Sequence, residues 1–331
     1  MFVVRAILAL SCAFLVSTIV FSAQPSQPPD GHDAAIKRSV AFLTKEVPKW
    51  HAEHPCYSCH NNGDATRALI VASMRGYDIG TAVDDTVDFL RVPSRWDQNK
   101  APGGFDDRTL ARIQFGSALA AAARAGRAPD STLVDAAKII AADQQGDGSW
   151  TLDVSKSLAS PATYGTLLAT ASARATLIAS GREPDDFAIV QIDRFFRGLQ
   201  VENVIDAAAV ILGLDAGEDV MAENLRANCL RILREGQAPS GGWGPFVTAP
   251  PQVFDTAIAV LALGVMETDP RLSRKVYRPE ELREALARGR AYLVSQQKPD
   301  GSWPETTRPA DQESYAQRIS TTGWALLALL R

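Results

Sequence analysis

The sequence has few cysteines and histidines and no excess of positive charge. Its 331 residues include four cysteines and four histidines, and no histidine follows His60. So few cysteines exclude a disulfide-stapled scaffold, and a chain of this length can bury a core of its own. The 38 acidic residues outnumber the 34 basic ones, which gives a net charge of −4. With no basic excess to neutralise phosphates, we expect no nucleic-acid partner.

The N-terminus has the pattern of an export signal. An arginine precedes an apolar run from Ala6 to Ala23, and a stretch rich in proline, glutamine and serine follows. We predict a signal peptide over residues 1–23, a polar linker over 24–33, and a periplasmic or secreted body. The apolar run approaches the length of a membrane span, so an uncleaved anchor stays open as the alternative. We expect contact with a membrane only in that case.

Four turn segments of one form repeat along the chain. Each combines a glutamine, a turn of proline, glycine or aspartate, a Gly-Gly or Gly-Ser pair and a large aromatic residue: QNKAPGGFDD, QQGDGSW, GQAPSGGWGPF and SQQKPDGSWPE. Their aromatic residues are Phe105, Trp150, Trp243 and Trp303. The widest gap, between Trp150 and Trp243, is about twice the length of a helix-pair repeat. A further copy is therefore expected near Gln200, where the aromatic turn is lost.

An amphipathic helix is predicted before each turn and a more uniformly apolar helix after it, as in VDAAKIIAADQQ and YGTLLATASARATLIASG. A helix with one apolar stripe lies at a surface, whereas one that is apolar nearly all round is surrounded by protein. The same alternation around residues 48–63 adds a first unit. We therefore predict a single all-α domain over residues 34–331, made of six helix-pair repeats that close into a ring.

The turn form Q-x-x-D-G-S-W, at residues 144–150 and 297–303, resembles the QW repeats of the squalene-hopene cyclase and protein prenyltransferase β-subunit superfamily. The resemblance covers residues 34 to 331 as architecture. It implies that the predicted ring is an α6/α6 toroid.

The chemistry of that superfamily carries over only in part. Its cyclases use a D-x-D-D-T-A segment as proton donor, and the best match here is QVFDTA at residues 252–257, which keeps only the last three positions. A cyclase would therefore need Asp255 as a non-standard acid, with Asp206 and Asp107 as further candidates. Its prenyltransferases hold zinc with an aspartate, a cysteine and a histidine from the later repeats, where this chain has no histidine.

The pentapeptide CYSCH, residues 56–60, stands where the first aromatic turn belongs, within residues 51–64. C-x-x-C-H is the spacing of a c-type haem attachment site. Two thiols three residues apart can add to both vinyl groups of one haem, and the adjacent imidazole then reaches the iron. The sequence therefore predicts a covalent haem c bound by Cys56 and Cys59, with His60 as the proximal iron ligand. The export signal agrees, because such haem is attached outside the cytoplasm.

Other sites fit the same residues. The two cysteines could form a structural or redox-active disulfide. A compact zinc site could instead form from His54, Cys56, Cys59 and His60. For the sixth coordination position of a haem iron, His51 is the favoured ligand and Met74 the alternative, since Met/His ligation raises the reduction potential. An open sixth position for a small ligand is the third possibility.

The outer-to-inner turns of such a ring share one end, so a haem on the pentapeptide should lie at the mouth of the central cavity. Polar residues open the inner helices there: Asp64, Arg67, Asp107, Arg108, Arg112, Tyr164, Asp206, Asp255, Arg318 and Thr321. Helix capping and pairing between helices is the expected role of most of them.

The predicted function is electron transfer to a partner protein, or haem-based oxidation of a small or apolar molecule in the cavity. The alternatives are a haem-free toroid that binds an isoprenoid-like lipid or a protein partner, and a cyclase-like enzyme. The sequence leaves open whether the protein is an enzyme.

Overall fold

The computed structural model describes residues 30–99, 107–152, 158–214, 219–268, 275–308 and 313–331. The predicted signal peptide and Phe105 lie outside these residues. Within them, helices alternate between two layers. The outer helices are α1 (Asp30–Glu53), α3 (Asp84–Leu90), α5 (Asp130–Ala142), α7 (Phe187–Arg197), α9 (Val220–Gly236) and α11 (Pro279–Gln296). The inner helices are α2 (Thr66–Met74), α4 (Arg108–Arg124), α6 (Gly165–Ala179), α8 (Val204–Gly213), α10 (Val253–Thr268) and α12 (Tyr315–Leu330).

Two other helical segments lie near the pentapeptide. A π-helix, Cys59–Ala65, leads directly into α2, and a 3₁₀ helix, Pro93–Gln98, follows α3. Helix α1 begins at Asp30, so the first outer helix includes the last residues of the predicted linker. Among the described helices, none combines the length and the apolar character that crossing a bilayer requires.

The six inner helices form a closed ring. Each packs against the next in chain order, and α12 packs against both α2 and α1, which joins the last repeat to the first. The all-α toroid predicted from the sequence is confirmed. The copy expected near Gln200 is the pair α7 and α8, whose connection carries this exposed glutamine. Because the chain passes from outer to inner helix six times in the same sense, the inner helices all begin at one end, here called the mouth.

Three of the repeated turns have the same hydrogen bonds. In each, a glutamine amide donates to the carbonyl of the turn glycine four residues later and to a carbonyl of the next outer helix; the glutamines are Gln144, Gln237 and Gln297. Each turn tryptophan is fully buried and donates its indole N–H to the carbonyl ten residues earlier, at 2.6–2.9 Å. The bond from Gln297 to the Ala35 carbonyl, 2.9 Å long, crosses the closure of the ring.

Replacing Gly301 by alanine should lower the free energy of unfolding by about 2 kcal/mol or more. Gly301 has φ of +91°, and a Cβ there would lie 2.2 Å from the carbonyl oxygen of Arg38, across the ring closure. Urea unfolding followed by helical circular dichroism measures the change. Gly146→Ala is the matched control, because nothing lies within 4 Å of a Cβ at this turn glycine. Equal stability of the two variants would contradict the expected strain.

Candidate functional site

The pentapeptide lies at the mouth of the ring: residues 56–58 belong to the connection after α1, and Cys59 and His60 are the first residues of the π-helix. Asn99 holds the backbone of Tyr57 from both sides, accepting its N–H at 2.7 Å and donating to its carbonyl at 2.8 Å. The hydroxyl of Ser58 caps the π-helix by accepting from the N–H groups of His60 and Asn61. The π-helix then packs between α4 and α12. These contacts bring His60 to the inner side of the ring.

The described cysteines, Cys56, Cys59 and Cys229, are thiols without a disulfide. Burial, together with the negative charges of Asp64 and Asp107, raises the pKa of Cys59 to about 12. In the metal-free chain its thiol therefore stays protonated at neutral pH, which does not suit a redox-active disulfide. No group of three or more His, Cys, Asp and Glu side chains in the described residues could hold a metal ion. The zinc and disulfide alternatives thus find no support in this structure.

The other histidines of this segment are held against aromatic rings. His54 stacks on Trp50 with ring centroids 4.0 Å apart, and its Nδ1 lies 3.0 Å from the Trp50 carbonyl oxygen. His51 stacks on Tyr57 at 3.8 Å, and its Nδ1 lies 3.3 Å from the Cys56 carbonyl oxygen. Of these two rings, only that of His51 lies against the pentapeptide.

Met74 lies far from the pentapeptide. It ends α2, is 45% exposed, and is separated from His60 by roughly 20 Å along the helical axis. The two axial ligands of one haem iron lie only a few ångströms apart. Met74 and His60 are therefore too far apart to bind the same iron. Of the two sixth-ligand candidates, His51 is therefore the one that lies near the pentapeptide.

His60 and Asp64 belong to a cluster of buried polar side chains, here called the His60 network. Nδ1 of His60 lies 2.9 Å from Oγ of Ser320, on α12. Tyr164 donates its hydroxyl to Oδ1 of Asp64, and Gln114 donates its amide to Oδ2 at 2.8 Å. Sequence reasoning placed Asp64 and Tyr164 at the mouth but missed Gln114 and Ser320.

Burial controls the charge states in this network. It lowers the pKa of His60 to about 4, so the imidazole is neutral at neutral pH. It raises the pKa of Asp64 to about 6, opposed by the hydrogen bond from Tyr164 and by the charge of Arg67. At neutral pH the network therefore contains a neutral imidazole and a mostly ionised carboxylate.

Aromatic side chains meet in the middle of the ring at the level of this network. Tyr164 caps α6 with φ of +58°, the one positive φ at a non-glycine residue among those described. Its ring lies 5.6 Å edge-to-face from that of Trp324 on α12, which stands opposite α6, so the contact crosses the lumen. Phe254 lies 5.9 Å from Trp324 on another side, and Arg67 lies over the same indole at 5.1 Å. Here protein side chains occupy the space where the sequence led us to expect an apolar molecule.

The three candidate acids do not meet: Asp255 and Asp206 lie on α10 and α8, and Asp107 is the N-cap residue of α4. Asp255 is buried and ion-paired with Arg308, and its Oδ2 has no hydrogen-bond partner among the described residues. Burial raises the pKa of Asp255 to about 6, and the charge of Arg308 opposes the increase. Asp206 accepts from the side chain of Asn203 at 2.6 Å, and Asp107 caps α4. The last two have the capping and pairing roles that were expected for most polar residues of the mouth.

Other mouth residues also join neighbouring elements. Arg112 bridges Asp97 of the 3₁₀ helix and Asp143 at the end of α5, at 2.5 Å to each. The Thr321 hydroxyl accepts the N–H of Thr306 at 3.2 Å. Both contacts tie loops of the mouth to inner helices, and neither brings a reactive group into the lumen.

No protein-family model matches the chain, and no curated protein matches it. Several solved structures are similar in fold. The type II terpene cyclase MstE from Scytonema, in apo form, is 15% identical with a TM-score of 0.54, over 92% of this chain and 98% of that one. A variant of MstE in complex with geranylgeranyl dihydroxybenzoate (substrate) is 15% identical with a TM-score of 0.56, over 91% of this chain and 96% of that one. A protein from Actinoplanes is 15% identical with a TM-score of 0.55, over 90% of this chain and 98% of that one. The chain therefore has a terpenoid-cyclase-like fold.

Proposed function

We propose that this protein is an exported haem c protein whose haem is bound through thioethers to Cys56 and Cys59 and through its iron to His60. The observation that carries the proposal is the state of these three side chains. Both cysteines are free thiols, Cys56 in the connection after α1 and Cys59 at the start of the π-helix, and the adjacent imidazole has Nδ1 engaged by Ser320. Nε2 is then the nitrogen left for a metal, the usual arrangement of a metal-bound histidine whose other nitrogen is hydrogen-bonded.

The residues around the turn have distinct roles in this proposal. Asn99 and Ser58 fix the backbone that spaces the two cysteines, and Ser320 fixes the orientation of the His60 ring. When bound, the haem supplies a one-electron couple, and the protein sets its orientation, access and electrostatics. His51, stacked on Tyr57 beside the turn, is the proposed sixth ligand.

Electron transfer is favoured over oxidation of a molecule in the lumen. The contact between Tyr164 and Trp324 crosses the ring immediately behind the His60 network, where a substrate would have to lie. A haem on the pentapeptide would instead be reached from the mouth. The proposed partner is therefore a redox protein that docks at the mouth, in the periplasm or outside the cell.

The test is the intact mass of the exported protein, produced together with a c-type haem maturation system and denatured before measurement. Covalent attachment predicts that the polypeptide carries the mass of one haem after denaturation. A polypeptide of the unmodified mass, from a host that loads a known c-type cytochrome in parallel, would refute the proposal.

A second candidate is a cyclase-like enzyme that protonates an isoprenoid-like substrate, and the likeness to MstE favours it at the level of fold. In the described residues Asp255 is the best-placed acid, because it is buried, has a raised pKa and keeps one carboxylate oxygen without a partner. Its pair with Arg308 works against this role, since a guanidinium stabilises the ionised carboxylate.

This candidate predicts that the parent protein converts geranylgeranyl dihydroxybenzoate to a cyclised product and that Asp255→Asn reduces the rate by at least about a hundredfold. Product analysis by mass spectrometry is the measurement, with Asp206→Asn as the control carboxylate. Absence of product from the parent, or an unchanged rate in the Asp255 variant, would rule out Asp255 as the acid.

A further inference from the structure

We propose that Tyr57, the residue after Cys56 in the C-x-x-C-H motif, is a positioning residue that holds the imidazole of His51 for the iron. The inference rests on the proposed haem function and names what orients its sixth ligand. It also gives a role to the aromatic side chains behind Tyr57. The four stacked residues, here called the Tyr57 column, are His51, Tyr57, Phe89 and Phe115.

The first three rings of the Tyr57 column lie face to face. The centroids of His51 and Tyr57 are 3.8 Å apart, and the two planes are within 15° of parallel. The centroids of Tyr57 and Phe89 are 4.0 Å apart, with 9° between the planes. These spacings are those of direct contact between ring faces. Tyr57 therefore lies between the two other rings and covers one face of the imidazole.

Helix α3 fixes the ring of Tyr57. Asp85 and Phe89 are four residues apart on this helix and therefore share a face of it. The Tyr57 hydroxyl donates to the Asp85 carboxylate, 3.1 Å from each oxygen. Phe89 meets Phe115 edge-on at 5.3 Å, and Phe115 is fully buried in α4. The position of the imidazole is thereby tied to an outer and an inner helix of the toroid.

The hydrogen bond of His51 shows which of its nitrogens carries the proton. Nδ1 lies 3.3 Å from the carbonyl oxygen of Cys56. A carbonyl oxygen has lone pairs and no proton, so Nδ1–H must be the donor in this bond. Nε2 forms no hydrogen bond within the described residues and is the nitrogen left for a metal. A hydrogen bond on one nitrogen and a metal on the other is the usual arrangement of a ligating histidine.

His54 shows what the Tyr57 column adds. Its Nδ1 also lies near a carbonyl oxygen, that of Trp50 at 3.0 Å, and its ring stacks on Trp50 at 4.0 Å. Both contacts stay within α1, so they hold His54 against its own helix. The ring of His51 is held instead by a residue that lies between the two cysteines of the motif. The same short segment therefore supplies His60 and orients His51.

The orientation of His51 is measured first in the full-length chain produced without the haem maturation system. ¹⁵N NMR of the histidine rings at about pH 8.5, above the ordinary pKa of an imidazole, should show Nδ1–H and an unprotonated Nε2 for His51. The ring current of Tyr57 should shift the His51 ring protons upfield, and both features should be lost in Tyr57→Leu. Tyr77→Leu is the matched control, because Tyr77 also donates its hydroxyl to a carboxylate, that of Asp33 at 3.0 Å, and lies outside the Tyr57 column. An Nε2–H tautomer or unshifted ring protons in the parent would overturn the positioning role.

In the haem protein, the test is competition between His51 and added cyanide for the sixth position of the ferric iron. Tyr57→Leu should raise the affinity for cyanide by about tenfold, the effect expected from the loss of one aromatic contact. Tyr57→Phe keeps the ring and loses only the hydroxyl, so it should stay close to the parent. His51→Ala should bind cyanide most tightly, and adding Tyr57→Leu to it should change the affinity no further.

Two results with cyanide would overturn the positioning role. One is an unchanged affinity in Tyr57→Leu, and the other is the same change with and without His51, which a merely structural role of Tyr57 predicts. Tyr77→Leu should keep the affinity of the parent, and circular dichroism of each variant checks that the helical fold is retained. A chain that never takes up haem would overturn the proposed function, while the NMR result would still decide whether Tyr57 orients His51.

Discussion

Replacing both Cys56 and Cys59 by alanine should abolish covalent haem attachment to the exported protein. Each thioether needs its own sulfur, so each single variant should keep one bond and the double variant none. The two side chains make no disulfide, and the backbone between them is held by Asn99 and by the Ser58 cap of the π-helix. The double variant should therefore keep its helical fold while losing the cofactor. The measurement is haem stain and absorbance retained by the polypeptide on a denaturing gel.

Cys229→Ala is the matched control for the double variant. Cys229 is fully buried in α9, where it packs in the hydrophobic core and lies outside the pentapeptide. Its replacement should leave haem attachment unchanged. Haem that stays with the denatured double variant would contradict the assignment, as would its loss from the Cys229 variant.

Replacing Arg308 by methionine should destabilise the protein by about 3 kcal/mol or more at pH 8, because it leaves the buried Asp255 carboxylate without its cation. Arg308 also donates to the carbonyl of Ala159, so the variant loses a contact between two loops of the mouth. The side chain of Asp255 is completely buried, and removal of one partner of a buried pair is costly for that reason.

The destabilisation should depend on pH in a definite direction. The pKa of Asp255 is about 6 in the folded protein, above its ordinary value of 3.8, so the folded state binds the proton more tightly than the unfolded chain does. The stability that this tighter proton binding contributes is complete below the ordinary pKa of 3.8 and is lost as the pH rises through about 6. Removing Arg308 raises the folded pKa further, because the guanidinium lowers it. The variant should therefore be much closer to the parent at pH 5 than at pH 8.

Urea unfolding at pH 5 and pH 8 measures this difference, and Arg278→Met is the control. Arg278 is largely exposed and pairs with glutamates at the start of α11, so its loss should matter little at either pH. An Arg308→Met effect of the same size at both pH values would show that the Ala159 contact, and not the charge of Asp255, stabilises the mouth.

The toroid could be predicted from the sequence because its determinants are local and repeat. The residues of each turn interact within a few positions of one another, as when the indole of Trp150 reaches the carbonyl of Ile140 and Gln144 reaches that of Gly148. Repetition made the pattern visible even where one copy, near Gln200, had lost its aromatic residue. Closure of the ring followed from the number of repeats.

The site could be predicted only as far as its motif. The pentapeptide pointed to Cys56, Cys59 and His60, but Ser320 joins His60 from the far end of the chain, and no local pattern marks a serine as its partner. Gln114 and Arg308 were missed for the same reason: each contacts a carboxylate on a different repeat, 50 or more positions away. The filling of the lumen by Tyr164 and Trp324 likewise depends on which sides of the ring their helices take.

The most direct test of the central claim is the pyridine haemochrome spectrum of the exported protein, purified from a host with a c-type maturation system and denatured in alkali. Attachment through Cys56 and Cys59 predicts the absorption bands of a c-type haemochrome that stay with the polypeptide through denaturation and solvent extraction. A spectrum with no haem bands, or bands of a haem that extraction removes, would contradict the claim and return Cys56, Cys59 and His60 to a role without haem c.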